Sequence, residues 1–232
     1  PHLDRMAKEG MKLTSFYVAS PVCSPSRAAL MTGSYPKRVG LAKGSDHIVL
    51  FPGDPHGLNP KEITIAEVLK DAGYATGCFG KWHLGDQPEF LPTSQGFDEY
   101  YGIPYSNDMW PFHPGVAHLP LAERLKRWPH LPLIDKETIV NPMVTGKDQA
   151  QLTTWYTERA VRFIDKNKDQ PFFLFMSYNA VHSPLQGADA YMKKMEAIPD
   201  IHRRIFAAML ANLDDSIGTL LATLRTLELE RN

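Results

Sequence analysis

The sequence predicts an α/β fold, a mostly parallel sheet flanked by helices. Three features carry that expectation. Phe172-Phe173-Leu174-Phe175-Met176-Ser177 is a continuous apolar run, the pattern of a strand covered on both faces. A capped helical segment at 64–73 runs straight into a strand-like segment at 74–79. The order strand, site-bearing loop, helix then recurs along the chain, as layered α/β architectures require.

Size and composition set bounds on function. The chain has 232 residues, about one large domain. A hydrophobic content of 43% is enough for a sizeable core. The formal net charge is −1, so the whole chain carries no electrostatic footprint for nucleic acid or another polyanion. No apolar run approaches the roughly 20 residues of a membrane span. No signal peptide is visible. The chain opens at Pro1, without Met and inside a helical pattern, so it reads as a piece of a longer protein.

The elements follow in order. Residues 1–10 place Leu3, Met6 and Ala7 at helical spacing, with Gly10 as a stop. Asp4 reads as a solvated first-turn acid. Residues 11–19 hold Phe16, Tyr17 and Val18 and are expected as a buried strand. That strand would leave Cys23 at a strand C-terminus, where open α/β sheets keep their sites. A helix then opens at Cys23. Pro25 fits its first turn, where no backbone donor is needed, and Gly33 can close it in the left-handed conformation. Its N-terminus favours an anion at position 23. Arg27 lies one turn on, on the same face.

Residues 34–60 are rich in Gly and Pro, lack periodicity and are expected as loop along a pocket rim. His47 and His56 within it read as solvated histidines. Thr64-Ile65-Ala66-Glu67 is a capping-box pattern; Ile65, Val68 and Leu69 continue as a helix face and Gly73 ends it. Tyr74 to Phe79 reads as a strand with Cys78 in its core. Residues 111–150 are rich in Pro, His and Leu and have no clean period. Leu152, Trp155, Tyr156, Ala160, Phe163 and Ile164 mark an amphipathic helix with core aromatics, stopped by Gln170-Pro171. The apolar run 172–177 is expected at the centre of the sheet. A long helix from about Asp200 to Leu229 carries Ile205, Met209, Leu213, Ile217, Leu220, Leu221 and Leu224 as its stripe. Asp214 and Asp215 are adjacent on it, so their side chains diverge by about 100° and clamp a metal poorly. They read as surface or structural acids.

Three motifs carry chemistry. Cys23-Ser24-Pro25-Ser26-Arg27 runs on to Thr32-Gly33. Gly80-Lys81-Trp82-His83-Leu84-Gly85 follows the strand at 74–79, and its glycines let the backbone bring Lys81 and His83 close to a bound anion. His182 stands in the exit of the strand at 172–177, just ahead of Ser183-Pro184. Taken singly, each has a plainer reading: a small buried thiol, a surface turn, a loop histidine.

Together they resemble the sulfatases. The first motif resembles that family's Cys-x-Pro-Ser-Arg signature, and the second resembles its second signature at the family's spacing. Phe90-Leu91-Pro92, Gln95-Gly96-Phe97-Asp98 and Tyr101-Gly102-Ile103-Pro104-Tyr105-Ser106-Asn107-Asp108 resemble arylsulfatase A and the N-acetylgalactosamine-6-sulfatases. The resemblance implies an alkaline-phosphatase-like fold, truncated here at both ends. It implies that a formylglycine-generating enzyme oxidises Cys23 to formylglycine, an aldehyde. One hydroxyl of the hydrate attacks the sulfur of a sulfate ester. The other loses its proton, the aldehyde re-forms and sulfate leaves, so one hard step becomes two.

By the same resemblance, Arg27 and Lys81 stabilise the nucleophile and the developing charge. His83 handles the proton on the diol, and His182 contacts the ester and protonates the leaving oxygen. Ser106 contacts substrate. A calcium ion is held by the group at position 23 and by paired aspartates and an Asp-Asn pair outside this chain, with a further lysine also outside. The piece by itself is thus expected to bind calcium weakly and to be inactive. Substrates would be sulfated small molecules or sulfated glycans, and family members are commonly exported or lysosomal. Asn107 departs from the family pattern, which has histidine there, and so weakens transfer of substrate preference. Two alternatives remain. One is a phosphodiester or phosphonate monoester hydrolase of the same superfamily. The other is a non-catalytic sulfoglycan-binding relative, against which the full set of Cys23, Arg27, Lys81, His83 and His182 argues. Both cysteines are expected to stay free, since pairing Cys23 with Cys78 would destroy the nucleophile.

Overall fold

A computed structural model describes residues 1–231. Its sheet has five strands in the order β4-β3-β2-β1-β5. These are β1 (Ala75–Gly80), β2 (Glu99–Gly102), β3 (Leu133–Asp135), β4 (Thr138–Asn141) and β5 (Phe172–Ser177). β1 pairs in parallel with both β2 and β5. β3 and β4 join as an antiparallel hairpin beside β2, so the sheet is mixed.

Side-chain alternation divides the interior into two layers. Cys78 of β1 faces Ala28, Met31, Leu58, Trp82 and Phe97, under the helices α2 (Cys23–Thr32) and α3 (Ile65–Asp71). The next residue, Phe79, faces Tyr156, Phe163 and Ile164 of α6 (Leu152–Lys166) and Leu220 of α8 (Ile201–Thr226). β5 alternates in step, with Phe173 and Phe175 on the first side and Phe172, Leu174 and Met176 on the second. Three shorter helices, α4 (Leu121–Arg127), α5 (Gly146–Gln149) and α7 (Asp189–Lys194), sit in the connections.

Several expectations hold. Thr64 and Glu67 form the full capping box of α3. The helix at 152–164 and the long helix from about 200 both form. α1 (His2–Glu9) ends at Gly10. Asp214 is a structural acid: its carboxylate accepts the backbone N–H groups of His2 and Leu3, each at 2.9 Å, and so caps α1 from the middle of α8. Gly218 makes the crossing possible, because a Cβ there would sit 2.6 Å from the His2 ring. By length and composition α8 could cross a membrane, yet it packs on α6 and buries Ala208, Met209 and Leu220.

Three expectations need correction. Residues 11–19 form no strand. None of their backbone groups joins a backbone–backbone hydrogen bond among the described residues. A strand exists only through a partner's ladder, and none runs beside this segment; Met11, Phe16 and Tyr17 are 83%, 68% and 88% exposed. β5 lies at the end of the sheet rather than at its centre. Its apolar run reports two covered faces, which the helix layers supply, and carries no information about its two edges. The loop at 34–60 does not line the cavity over Cys23 among the described residues: Val39, Leu41, Leu50 and Leu58 are buried in the α2 layer, which it helps to build. Residues 111–150, which have no clean period in the sequence, hold the short helices α4 and α5 and a hairpin whose strands of three and four residues are too short to show one.

Candidate active site

The site forms where two parallel strands end side by side. Gly80 closes β1 opposite Ser177, the last residue of β5, and Lys81 N–H donates to Ser177 O at 2.8 Å. Gly80 has φ 125°, and a Cβ there would lie 2.0 Å from Ser177 O. Only glycine lets the strands close at this point. Beyond it the chain is fastened to the exit of β2, with Trp82 N–H donating to Ile103 O and His83 N–H to Pro104 O, each at 3.0 Å. Ser106 is thereby carried under Lys81. From the other side α2 points its N-terminus into the gap, with Cys23 as first residue and Gly33 closing its far end at φ 63°. The Cys-x-Pro-Ser-Arg spacing works here as read: Cys23 and Arg27 share the inward face.

Lys81 is buried. Its Nζ lies 3.3 Å from Cys23 Sγ and donates to Ser106 Oγ at 2.8 Å. Arg27 donates from one terminal nitrogen to Lys81 O (2.5 Å), Ser177 Oγ (2.6 Å) and Trp82 O (3.3 Å). The His182 ring stands beside the Cys23 thiol on the same cavity wall and draws the thiol's pKa down. Its Nδ1 meets Ser183 O at 2.7 Å, so it carries the hydrogen and leaves Nε2 for position 23. The same carbonyl accepts from Asn107 Nδ2 at 3.3 Å, and Asn107 also donates to Gln149 Oε1 at 3.2 Å. A cavity of about 480 Å³ opens over this group; Cys23, Ser26, Arg27, Lys81, Asn179 and His182 face it.

The electrostatics are those of an anion site. The Cys23 thiol is drawn down to about 7, chiefly by the neighbouring His182 ring and further by the Lys81 ammonium, against the opposing effect of burial. The same pairing raises His182. Burial, then the charge of Arg27, brings Lys81 down to about 8. Burial also lowers Arg27 and holds His83 well below the usual imidazole range. No carboxylate lines the cavity among the described residues.

Five of the six residues singled out in the sequence, Cys23, Arg27, Lys81, Ser106 and His182, converge here. Ser106 lies beneath Lys81, 2% exposed, and holds the ammonium rather than facing the cavity. His83 does not reach the cavity: its Nε2 is 2.9 Å from Leu50 O, and its buried Nδ1 has no partner among the described residues. Sequence reasoning missed Ser177 and Asn179, and noted Asn107 only as a departure from the family pattern. Ser177 had a signal, being the one polar residue in the run 172–177.

Calcium does not fit these residues alone. It takes about six to eight oxygen ligands, carboxylates prominent among them, and the cavity lining offers no carboxylate. The one cluster of three ligating side chains among the described residues, His2, Asp214 and Asp215, lies where α1 meets α8. There both Asp214 oxygens already accept backbone donors, and Asp215 accepts from Lys194.

Fold and site thus define an α/β protein with a cysteine-centred, cation-lined pocket at the carboxyl ends of parallel strands. Comparison with known proteins supplies the family. The sulfatase family model matches residues 1–232, and the chain belongs to the sulfatase family. It is 35% identical over 243 residues to N-acetylgalactosamine-6-sulfatase of Sus scrofa, covering 100% of this chain and 43% of that protein. Among solved structures, PsFucS1 sulfatase from Pseudoalteromonas sp. superposes with a TM-score of 0.82 at 30% identity, over 99% of this chain and 47% of that one. Ps i-CgsB in complex with k-i-k-neocarrahexaose gives 0.79 at 33% identity, over 99% and 50%. The chain therefore spans about half the length of the relatives it matches.

Proposed function

We propose that the whole protein of which this chain is part is a sulfuric ester hydrolase acting through position 23. The observation that carries this reading is the convergence on Cys23 Sγ of a helix N-terminus, the Lys81 ammonium at 3.3 Å and the His182 ring beside an open cavity. Conversion of Cys23 to formylglycine, by a formylglycine-generating enzyme, fits the same place. An oxygen where Sγ now stands lies within reach of Lys81 Nζ and faces the cavity. When hydrated, that group supplies a hydroxyl nucleophile and a second hydroxyl whose deprotonation lets sulfate go.

The chain's own residues do the rest. Lys81 and Arg27 hold negative charge at the cavity floor, and donors preorganised in this way act most where charge develops. Ser106 keeps the ammonium aimed at position 23. His182, with Nδ1 bound to Ser183 O, presents Nε2 at position 23, placed to give a proton to a departing alcohol oxygen. His83, buried and neutral, keeps the diol-proton role only by analogy with the family. Calcium belongs to the reading of the whole protein, with ligands from segments other than these.

A sulfated carbohydrate is the favoured substrate class. The names of the relatives support it, an N-acetylgalactosamine-6-sulfatase and a structure holding a neocarrahexaose. The test uses the whole protein produced with a formylglycine-generating enzyme. Mass spectrometry of the tryptic peptide is expected to show the aldehyde at position 23, and Cys23→Ala is expected to abolish sulfate release from an aryl sulfate. Full activity in that variant would refute the assignment, and faster turnover of an aryl phosphodiester would move it to the phosphoryl branch.

A further inference from the structure

We propose that Ser177 is a positioning residue for Arg27, and that it couples the two strand ends on which the reaction depends. The proposal rests on the sulfatase reading for its effect on turnover, but on geometry alone for its effect on Arg27.

Arg27 reaches the site from α2, and its inner terminal nitrogen meets three oxygens. Two of them, Lys81 O and Trp82 O, belong to one short stretch after β1. With these alone the guanidinium could swing about the Lys81 carbonyl. Ser177 Oγ, 2.6 Å away, is the third and comes from a different strand. The hydroxyl works in both directions. It accepts from Arg27 and donates to Lys81 O at 2.7 Å, while its own backbone carbonyl accepts Lys81 N–H at 2.8 Å. Ser177 is 6% exposed, so water does not replace these bonds at no cost.

The consequence is directional. A guanidinium is a rigid planar fork. With one terminal nitrogen held from both strand ends, the fork has less freedom to swing; Nε and the other terminal nitrogen meet no protein acceptor among the described residues, and Arg27 lines the cavity. Those are the donors available to an anion. The same strand end, five residues before His182, also sets where that histidine enters. Ser177 thus links the anion-holding arginine, the backbone of the ammonium-bearing lysine and the strand that delivers the proton donor.

The experiment compares wild type, Ser177→Ala and Ser177→Thr in the whole protein, each at matched aldehyde content by mass spectrometry. In Ser177→Ala, kcat on an aryl sulfate is expected to fall about ten- to hundredfold with KM within about threefold, the loss of one hydrogen bond to a charged group felt mainly in the transition state. Ser177→Thr keeps the hydroxyl and is expected to recover most of the rate. A second readout needs no turnover. Phenylglyoxal labelling of Arg27, followed by peptide mass spectrometry, is expected to be faster in Ser177→Ala than in wild type or Ser177→Thr. Labelling of Ser177→Ala at the wild-type rate overturns the proposal whether or not the enzyme is active. Faster labelling with unchanged kcat in an active enzyme overturns it too. A wild-type protein that carries the aldehyde yet hydrolyses no sulfate ester removes the functional reading instead, and labelling alone then decides on Ser177.

Discussion

The two cysteines show how far one residue type can diverge within a single layer of structure. Cys78 is fully buried on β1, and burial pushes its thiol far up. Cys23 begins a helix beside an ammonium and an imidazole and sits at about 7. In protein made without the formylglycine-generating enzyme, iodoacetamide at pH 7.5 is expected to label Cys23 within minutes and to leave Cys78 untouched until the fold is denatured. Equal labelling of the two would contradict the arrangement described. Loss of the Cys23 label after co-expression with that enzyme then becomes an assay for conversion. Lys81 supports a second prediction. Lys81→Ala removes a preorganised donor and is expected to lower kcat by about a hundred- to a thousandfold in the whole protein. The far-ultraviolet circular dichroism should stay unchanged, because the Lys81 backbone bonds remain.

At the scale of elements, the clearest test concerns the joint between α3, β1 and β2. Asp98 accepts from Lys70 at 2.7 Å and from the backbone and side chain of Thr76 at 2.9 and 3.0 Å. Burial pushes this carboxyl up, but Lys70 and Thr76 outweigh it and the net shift is downward. A carboxyl lowered by folding stabilises the fold above its unfolded value of about 3.9, and the contribution is lost as pH falls through the folded value. Asp98→Asn is therefore expected to lower the melting temperature at pH 7 and to approach wild type as the pH falls through the lowered value of the Asp98 carboxyl; a gap that does not narrow in acid would exclude the linkage. The capping box gives a companion figure: Thr64→Ala is expected to cost about 1 kcal/mol in chemical denaturation.

This is also the scale at which the sequence can be judged. α3 and α6 were legible because cap and stripe lie within the segments themselves. β5 was legible as a strand, yet its place in the sheet was not, since pairing is a property of neighbours. Residues 11–19 misled for the same reason. Their apolar content resembles a strand's, but the ladder that would make them one is absent among the described residues. At the site, Cys23, Arg27, Lys81 and His182 stood out through motif spacing. Asn107 and Ser177 act through long-range hydrogen bonds, spanning 76 residues to Ser183 and 150 residues to Arg27, which no local pattern can encode.

At the scale of the whole molecule, two layers share one sheet, and the candidate site lies at the strand ends between them. α1 is the exception to this economy. It buries no residue, so little apolar contact holds it. Its attachment rests on Asp214 and on the close approach of His2 to Gly218. Asp214→Ala is expected to lower the melting temperature by about 2–4 °C, the equivalent of about 1 kcal/mol in a protein of this size. Amide exchange should accelerate in residues 2–9 while β1 stays protected; unchanged exchange in α1 would show that something else retains it. The clasp also has a meaning for biosynthesis. His2 and Asp214 are 212 positions apart, so α1 has to wait until α8 has been synthesised before it can settle. During synthesis α1 is thus secured long after it is made, and a translational pause ahead of α8 would leave it open to proteases and chaperones.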